Sequence, residues 1–557
     1  MKLRKPSAQG NSCSHRKNAI GSTRLSRSML PASKQHIAQL SRDRTFLIRT
    51  SLGVVAMSVV LAIITSLLIG SKHEPSTELS PEELLRHLGH GTPETSEEWI
   101  LMIRTGSLFP INPVTSDCRI IVEALTPAST EKAPPEDWKL ATDTTPALEP
   151  LRLGLRRGEF NAAAEALLAL PRDTRYRSEF LGDLYFVQNN YTSAQKAYLD
   201  EAERFPNSIY SRRSAVISAW RNQSPPEIRV LLSDPEIRQC FHEAELLNIL
   251  ADARDYRGLA VNILSVSAKS LGSPATTIPF LLSATIWFFI LMPFWKISTT
   301  RIAVSIGALF AGIISAVLTL YVVMVQERIY GFTDHPNNTP IAQFVFWVAG
   351  VGLREETLKL ICFIPFGIWA ARRQSRVEAL VLAGLVGLGF GFAENCFSYQ
   401  ADVTSYNAWG RFLTANALHI SLTGILGYYF SKMLMRRFHG WEEFLATFIA
   451  VVLAHGIYDA VISMPTLEKY SVLSPILMAL IAYRFFDPLR SEMETSGIHL
   501  RISPLGVFIL GSVALTCITL VTSSALVPLR VSLGIFAASV GSMVPLTFAY
   551  ISRFRDI

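Results

Sequence analysis

Hydrophobic residues in this chain gather into long blocks rather than the short alternations or stripes of a soluble core. The first block covers residues 52–70. Others follow near 278–295, 302–325, 341–370, 378–398, 411–431, 443–463, 472–486, 504–525 and 531–551. A helical crossing of a bilayer takes ~20 predominantly apolar residues. The pattern therefore predicts an all-α, polytopic membrane protein of about ten spans. Residues 71–276 hold no such block and form a soluble region after the first span. A long polar stretch precedes that span and no A-x-A site follows it, so it reads as an uncleaved signal anchor.

The soluble region divides at the Pro/Thr-rich piece Thr126–Pro150, which reads as a linker. Beyond it the polar and apolar positions take a helical period and repeat. Leu181-Gly182, Tyr185, Tyr191, Ala194, Tyr198 and Pro206 follow the tetratricopeptide order of Leu-Gly, aromatic, aromatic, Ala, aromatic, Pro. Gly158, Phe160, Ala163 and Pro171 form a looser copy upstream, and Asp255-Tyr256, Gly258 and Ala260 start a third. The stretch from about 150 to 265 resembles a short tetratricopeptide-like helical array, and its expected role is to grip a peptide or a partner protein.

Charge adds orientation. The net charge of +7 could point to nucleic acid, but residues 1–50 carry eleven Lys/Arg against Asp43 alone, more than the whole excess. Residues 1–45 are polar, without period, and read as a disordered basic tail. A basic run before the first span is a positive-inside signal. With the N-terminus cytoplasmic, the inner loops hold Lys296, Arg301, Arg372, Arg373, Arg376, Lys432, Arg436, Arg437, Arg484, Arg490 and Arg501. The outer loops hold little beyond Arg328, Arg411, Lys469 and Arg530. This places 71–276 outside the cytoplasm and the C-terminus inside. The six cysteines show no metal spacing. Cys362, Cys396 and Cys517 fall in spans, whereas Cys118 and Cys240 share the soluble region and could pair in an oxidising compartment.

Candidate chemistry sits inside the spans. Arg354, Glu355, Glu356 and Lys359 lie within the block FVFWVAGVGLREETLKLICFIPFGIW, residues 344–369. A single central Asp, Lys or Arg costs roughly 2.5–3.5 kcal/mol on the most lenient insertion scale, so four such groups must pair, lose charge or face water. On a helix Glu355 and Glu356 lie four and three residues from Lys359. The Lys can neutralise one carboxylate and leave the other poised as a base. The next spans bring Phe390-x-x-x-Glu394 with Asn395, then His419 with Thr423, then His455-x-x-x-Asp459. Gly384, Gly387 and Gly391, with Gly424 and Gly427, give faces for close helix approach. Each group has a plainer reading: a packed His419, an Asp459 that orients His455, a Glu394 that reaches the interface, an Arg354 that serves as ion-pair partner. Together, four successive spans carrying acid or imidazole suit activation of water, with imidazoles able to donate to an oxyanion or to bind Zn²⁺. HExxH and GxSxG are both absent. A non-catalytic scaffold of the same fold and a proton-coupled transporter are the rival readings, and no inverted repeat supports the second.

Glu355-Glu356-Thr-Leu-Lys359, Phe390-x-x-x-Glu394, His419 and His455-x-x-x-Asp459 resemble the motif series of the PrsW intramembrane proteases, relatives of the CAAX prenyl endopeptidases. The resemblance covers roughly residues 300–490, within a core placed at 277–490 and followed by two further spans in 491–557. It implies hydrolysis of peptide bonds in membrane-associated proteins, in a bacterial inner membrane. Glu355 would be the water-activating base, and Glu356 and Glu394 supporting acids or ligands. His419 and His455 would be oxyanion donors or metal ligands, with Lys359 and Asp459 in support. A Zn²⁺ on Glu394, His419 and His455 and a metal-free glutamate chemistry both stay open. Single-span proteins are the expected substrates, cut near the extracytoplasmic face.

Overall fold

A computed structural model of the chain describes residues 36, 38–68, 146–147, 150, 160–292, 298–334, 338–398, 408–470, 473–496, 502–526 and 529–555. All regular structure in them is helical. The basic tail, Cys118 and most of the 126–150 linker lie outside the described residues.

The first helix, α1 (Arg44–Leu68), is apolar and largely uncovered by protein. The soluble region follows as a run of short helices: α2 (Phe160–Ala169), α3 (Arg177–Val187), α4 (Tyr191–Arg204), α5 (Ile209–Arg221), α6 (Pro225–Leu232), α7 (Pro235–Gln239), α8 (Glu243–Asp252) and α9 (Tyr256–Gly272). Capping residues set several starts. Asn190 accepts from the Ser193 amide at 3.2 Å, and Asp255 accepts from the Gly258 amide at 2.9 Å. Successive hairpins are joined by side-chain bonds between positions 32 apart: Ser211 to Glu179, Arg213 to Glu245 and the Trp220 indole to Asp252.

Helix α10 (Pro274–Leu291) follows α9 across an 81° bend. Next come α11 (Thr299–Arg328), α12 (Pro340–Val345), a π-helical segment (Phe346–Gly352), α13 (Leu353–Arg372), α14 (Arg376–Ser398) and α15 (Ala408–Leu413). The bundle is completed by α16 (Ala415–Met435), α17 (Trp441–Ser463), α18 (Leu473–Ser496), α19 (Pro504–Leu526) and α20 (Leu529–Arg555). By length and composition alone five of these are apolar enough to cross a membrane, and the bent α9–α10 pair would be a sixth. Helix α14 is the axis of the bundle, 94% buried along its apolar window and packed by α10, α11, α13, α16 and α18. Helix α1 lies along α19, where Ser41 accepts from the Ser503 amide at 3.1 Å.

Two features depart from a simple series of spans. The block 341–370 is not one helix, because the π segment interrupts it directly before Arg354 and the paired glutamates. Gly352 in that segment lies against the backbone of Val452 and Gly456 in α17, and Gly456 lies against Val348. A Cβ at either crossing would strike main chain, so only glycine permits the approach. Second, α11 has 30 residues and so measures about 45 Å, against a hydrocarbon core of about 30 Å. Val317, Leu320, Tyr321, Met324 and Val325 on its C-terminal part pack into the apolar core of the soluble region, against α8 and α9.

Candidate active site

The site begins at the first turn of α13. Adjacent residues on a helix point about 100° apart, so Glu355 and Glu356 leave α13 in different directions. Glu355 faces a cavity of about 750 Å³, while Glu356 is fully buried behind it. One turn on, Lys359 is also fully buried and reaches back to both, at 3.2 Å from Glu355 Oε2 and 2.9 Å from Glu356 Oε1. Its ammonium lies 3.9 Å from the centre of the Phe390 ring on α14, a cation–π contact. It also stands 3.0 Å from His419 Nδ1.

Helices α14 and α16 supply the next layer. Gly387 lets them meet, since a Cβ there would strike the His419 carbonyl. His419 Nε2 lies 2.8 Å from Glu394 Oε2. A lysine ammonium can only donate, so Nδ1 accepts from Lys359 and the ring proton sits on Nε2, donated to Glu394. Glu394 is held on its other oxygen by Arg411 of α15 at 3.0 Å. Arg411 Nε donates to Asn395 at 2.5 Å, Asn395 donates to Asn416 at 3.0 Å, and Asn416 donates to Ser283 of α10 at 2.7 Å.

Helix α17 closes the site. His455 donates from Nδ1 to Glu356 Oε1 at 2.8 Å, which turns Nε2 toward Asp459 Oδ2 at 3.3 Å and Glu355 Oε2 at 3.6 Å. The two imidazoles meet edge to face with centres 5.4 Å apart. Thr423 stands one turn from His419 and reaches Glu356 Oε2 at 3.5 Å. All seven residues singled out from the sequence, Glu355, Glu356, Lys359, Glu394, His419, His455 and Asp459, thus fall in one connected network. Arg354 lines the same cavity and donates to Gln326 at 3.1 Å, with no carboxylate at ion-pair distance among the described residues.

Sequence reasoning passed over Arg411, read only as a loop charge, and gave Asn395 and Asn416 no role. The available signal was an Arg at the outer end of a span whose neighbour carries an unpaired Glu394. The donors suited to a metal also differ from the expected trio. A carboxylate oxygen of Glu355 and one ring nitrogen each of His419 and His455 lie within 4.8 Å of one another. Glu394 is instead engaged by Arg411 and His419. His455, its Nδ1–H committed to Glu356, presents a lone pair at Nε2; His419, its Nε2–H donated to Glu394, has its lone pair at Nδ1 taken by Lys359, so the set fits a divalent ion that displaces the ammonium from that nitrogen.

Glu327, Thr333, Asp334, Gly410 and Ser463 also line the cavity. Arg372, at the other end of α13, is 17 residues from Glu355, about 25 Å along the helix. The cavity therefore opens at the end of the bundle away from the loops that hold Arg372, Arg373, Arg376, Lys432 and Arg436.

The helical bundle thus encloses the carboxylates of Glu355, Glu394 and Asp459 and two imidazoles around one cavity. Residues 300–484 match the model of the PrsW family intramembrane metalloproteases. No curated protein and no solved structure matches the chain.

Proposed function

We propose that this protein cleaves peptide bonds of membrane-associated proteins, single-span proteins above all, in the cavity beside Glu355. The observation that carries this is the division between the paired carboxylates. Glu356 is spent on Lys359, His455 and Thr423, whereas Glu355 faces the cavity beside two imidazoles. Glu355 takes the proton of the attacking water as general base. Lys359 balances the charge of the pair, His455 is fixed by Glu356, and His419 is fixed by Glu394. Glu355, His419 and His455 are also the residues that would hold a divalent ion such as Zn²⁺, which would supply Lewis acidity and a bound water of lowered pKa.

The reading places cleavage toward the extracytoplasmic face of a bacterial inner membrane. Its supports are the Lys/Arg asymmetry of the loops and the opening of the cavity at the Lys/Arg-poor end. The soluble region, docked on the same end of α11, is placed to present or filter substrates. Incubation of purified full-length protein and Glu355→Gln with a panel of single-span substrates is the direct test. Glu355→Gln is expected to lose activity by a factor of about 10²–10⁴. Equal cleavage by both, or by neither despite intact folding, would sink the proposal. Metal analysis of the same samples separates the two chemistries: a stoichiometric ion lost in His455→Ala assigns the trio to a metal, and its absence leaves water activation to Glu355.

A further inference from the structure

Helix α15 has only six residues, and it carries Arg411, which holds Glu394 and through it His419. A helix this short cannot form on its own, because nucleation costs more than a single turn returns. Its last carbonyls have no partner within the helix. Two residues from outside the family-matched segment 300–484 take them up. The Trp287 indole of α10 donates to the Phe412 carbonyl at 2.9 Å, and the Tyr550 hydroxyl of α20 donates to the Leu413 carbonyl at 3.0 Å. Trp287 and Tyr550 are themselves buried and in edge contact, with ring centres 5.8 Å apart. Phe412 and Phe508 close the cluster around them.

We propose that Trp287 and Tyr550 are positioning residues of the active site: they clamp the C-terminal end of α15 so that Arg411 holds Glu394, and hence His419, in register with Glu355. This assigns a task to the C-terminal helix α20, which no feature of the catalytic network by itself requires. The proposal rests on the protease reading for its kinetic arm but not for its structural arm. The clamp is specific in form, since two separate donors meet two consecutive carbonyls and each belongs to a different flanking helix.

The test uses full-length protein carrying Tyr550→Phe, Trp287→Phe, Arg411→Ala and the double variant Tyr550→Phe with Arg411→Ala. Tyr550→Phe keeps the ring and removes only the donor, leaving a buried carbonyl unpaired. A fall in kcat of about 5–10-fold with KM unchanged is expected, a loss of roughly 1–1.4 kcal/mol by the tenfold-per-1.36 kcal/mol relation. In the Arg411→Ala background the same change should add little, because its effect passes through Arg411. Unchanged kcat, an effect confined to KM, or full additivity would overturn the clamp. Amide hydrogen exchange of the 408–419 segment supplies an arm that needs no substrate. Exchange there should rise at least severalfold in Tyr550→Phe while α3–α5 stay as in the wild type, and unchanged exchange would overturn the proposal. Should the wild type cut no substrate, the protease reading falls and the exchange arm alone judges the clamp.

Discussion

Lys359 carries the heaviest electrostatic burden of any single side chain here. Fully buried, it contacts two carboxylates, an imidazole nitrogen and an aromatic face. Removing one partner of a buried ion pair leaves an uncompensated charge and typically costs 3–5 kcal/mol, whereas removing both can be close to neutral. Lys359→Met should therefore lower the thermal unfolding midpoint sharply in detergent. The double change Lys359→Met with Glu356→Gln should recover much of the loss while staying inactive, since His455 keeps only a neutral acceptor. A double variant as unstable as the single would show that Lys359 serves packing more than charge balance.

At the scale of elements, the site depends on helices that approach more closely than ordinary side chains allow. Gly387 on α14 lies against the His419 carbonyl, and Gly312 on α11 lies against the backbone of α14 at Val386 and Phe390. The two contacts differ in what they carry. Gly312→Ala presses a methyl on the α14 backbone at Val386 and Phe390, which bear no acid or imidazole although the Phe390 ring meets Lys359, and overpacking of this kind costs about 1–3 kcal/mol. Gly387→Ala pushes directly on the residue that bears the imidazole. Both should lower the unfolding midpoint by similar amounts, but Gly387→Ala should lose far more activity at a temperature where both are folded. Equal residual activities would refute that distinction. The π segment before Glu355 belongs to the same scale. Such segments are rare and concentrate at functional sites, and here one ends where the two carboxylates begin.

For the whole molecule, the notable joint is the seating of the soluble helices on the far end of α11. The apolar side chains Leu320, Tyr321 and Met324 pack against the core of the soluble helices. A charge placed there opposes docking without touching the catalytic network. Met324→Asp should raise hydrogen exchange in α8 and α9 and speed proteolysis of the soluble region, with the exchange of α14 unaltered. If only α14 responded, α11 would be a member of the membrane bundle alone. Docking also gives the soluble region a fixed relation to the cavity mouth, because Gln326 and Glu327 follow the docking residues directly on α11 and reach Arg354 and the cavity wall.

The helical class and the gathering of ionisable groups inside the spans were legible in the chain because both rest on local or near-local signals. Apolar blocks of spanning length define helices in lipid, where every backbone polar group must find its partner within the segment. Charged residues inside such blocks stand out through their desolvation cost, which is how Glu355, Glu356, Lys359, Glu394, His419, His455 and Asp459 came to notice together. What remained hidden depends on the packing of elements distant in sequence. Spacing along α13 cannot say which of two adjacent glutamates faces the cavity, since that is decided by the rotation of the helix against α14 and α17. The same holds for Arg411, which became part of the site only when the turn of α15 was held by Trp287 and Tyr550, more than a hundred residues away on either side. The residue types determined that the membrane core would hold a cluster of carboxylates and imidazoles; the tertiary structure decided which carboxylate meets the cavity and which donors surround it, because desolvation acts on residue type while geometry is fixed only by helix-to-helix contact.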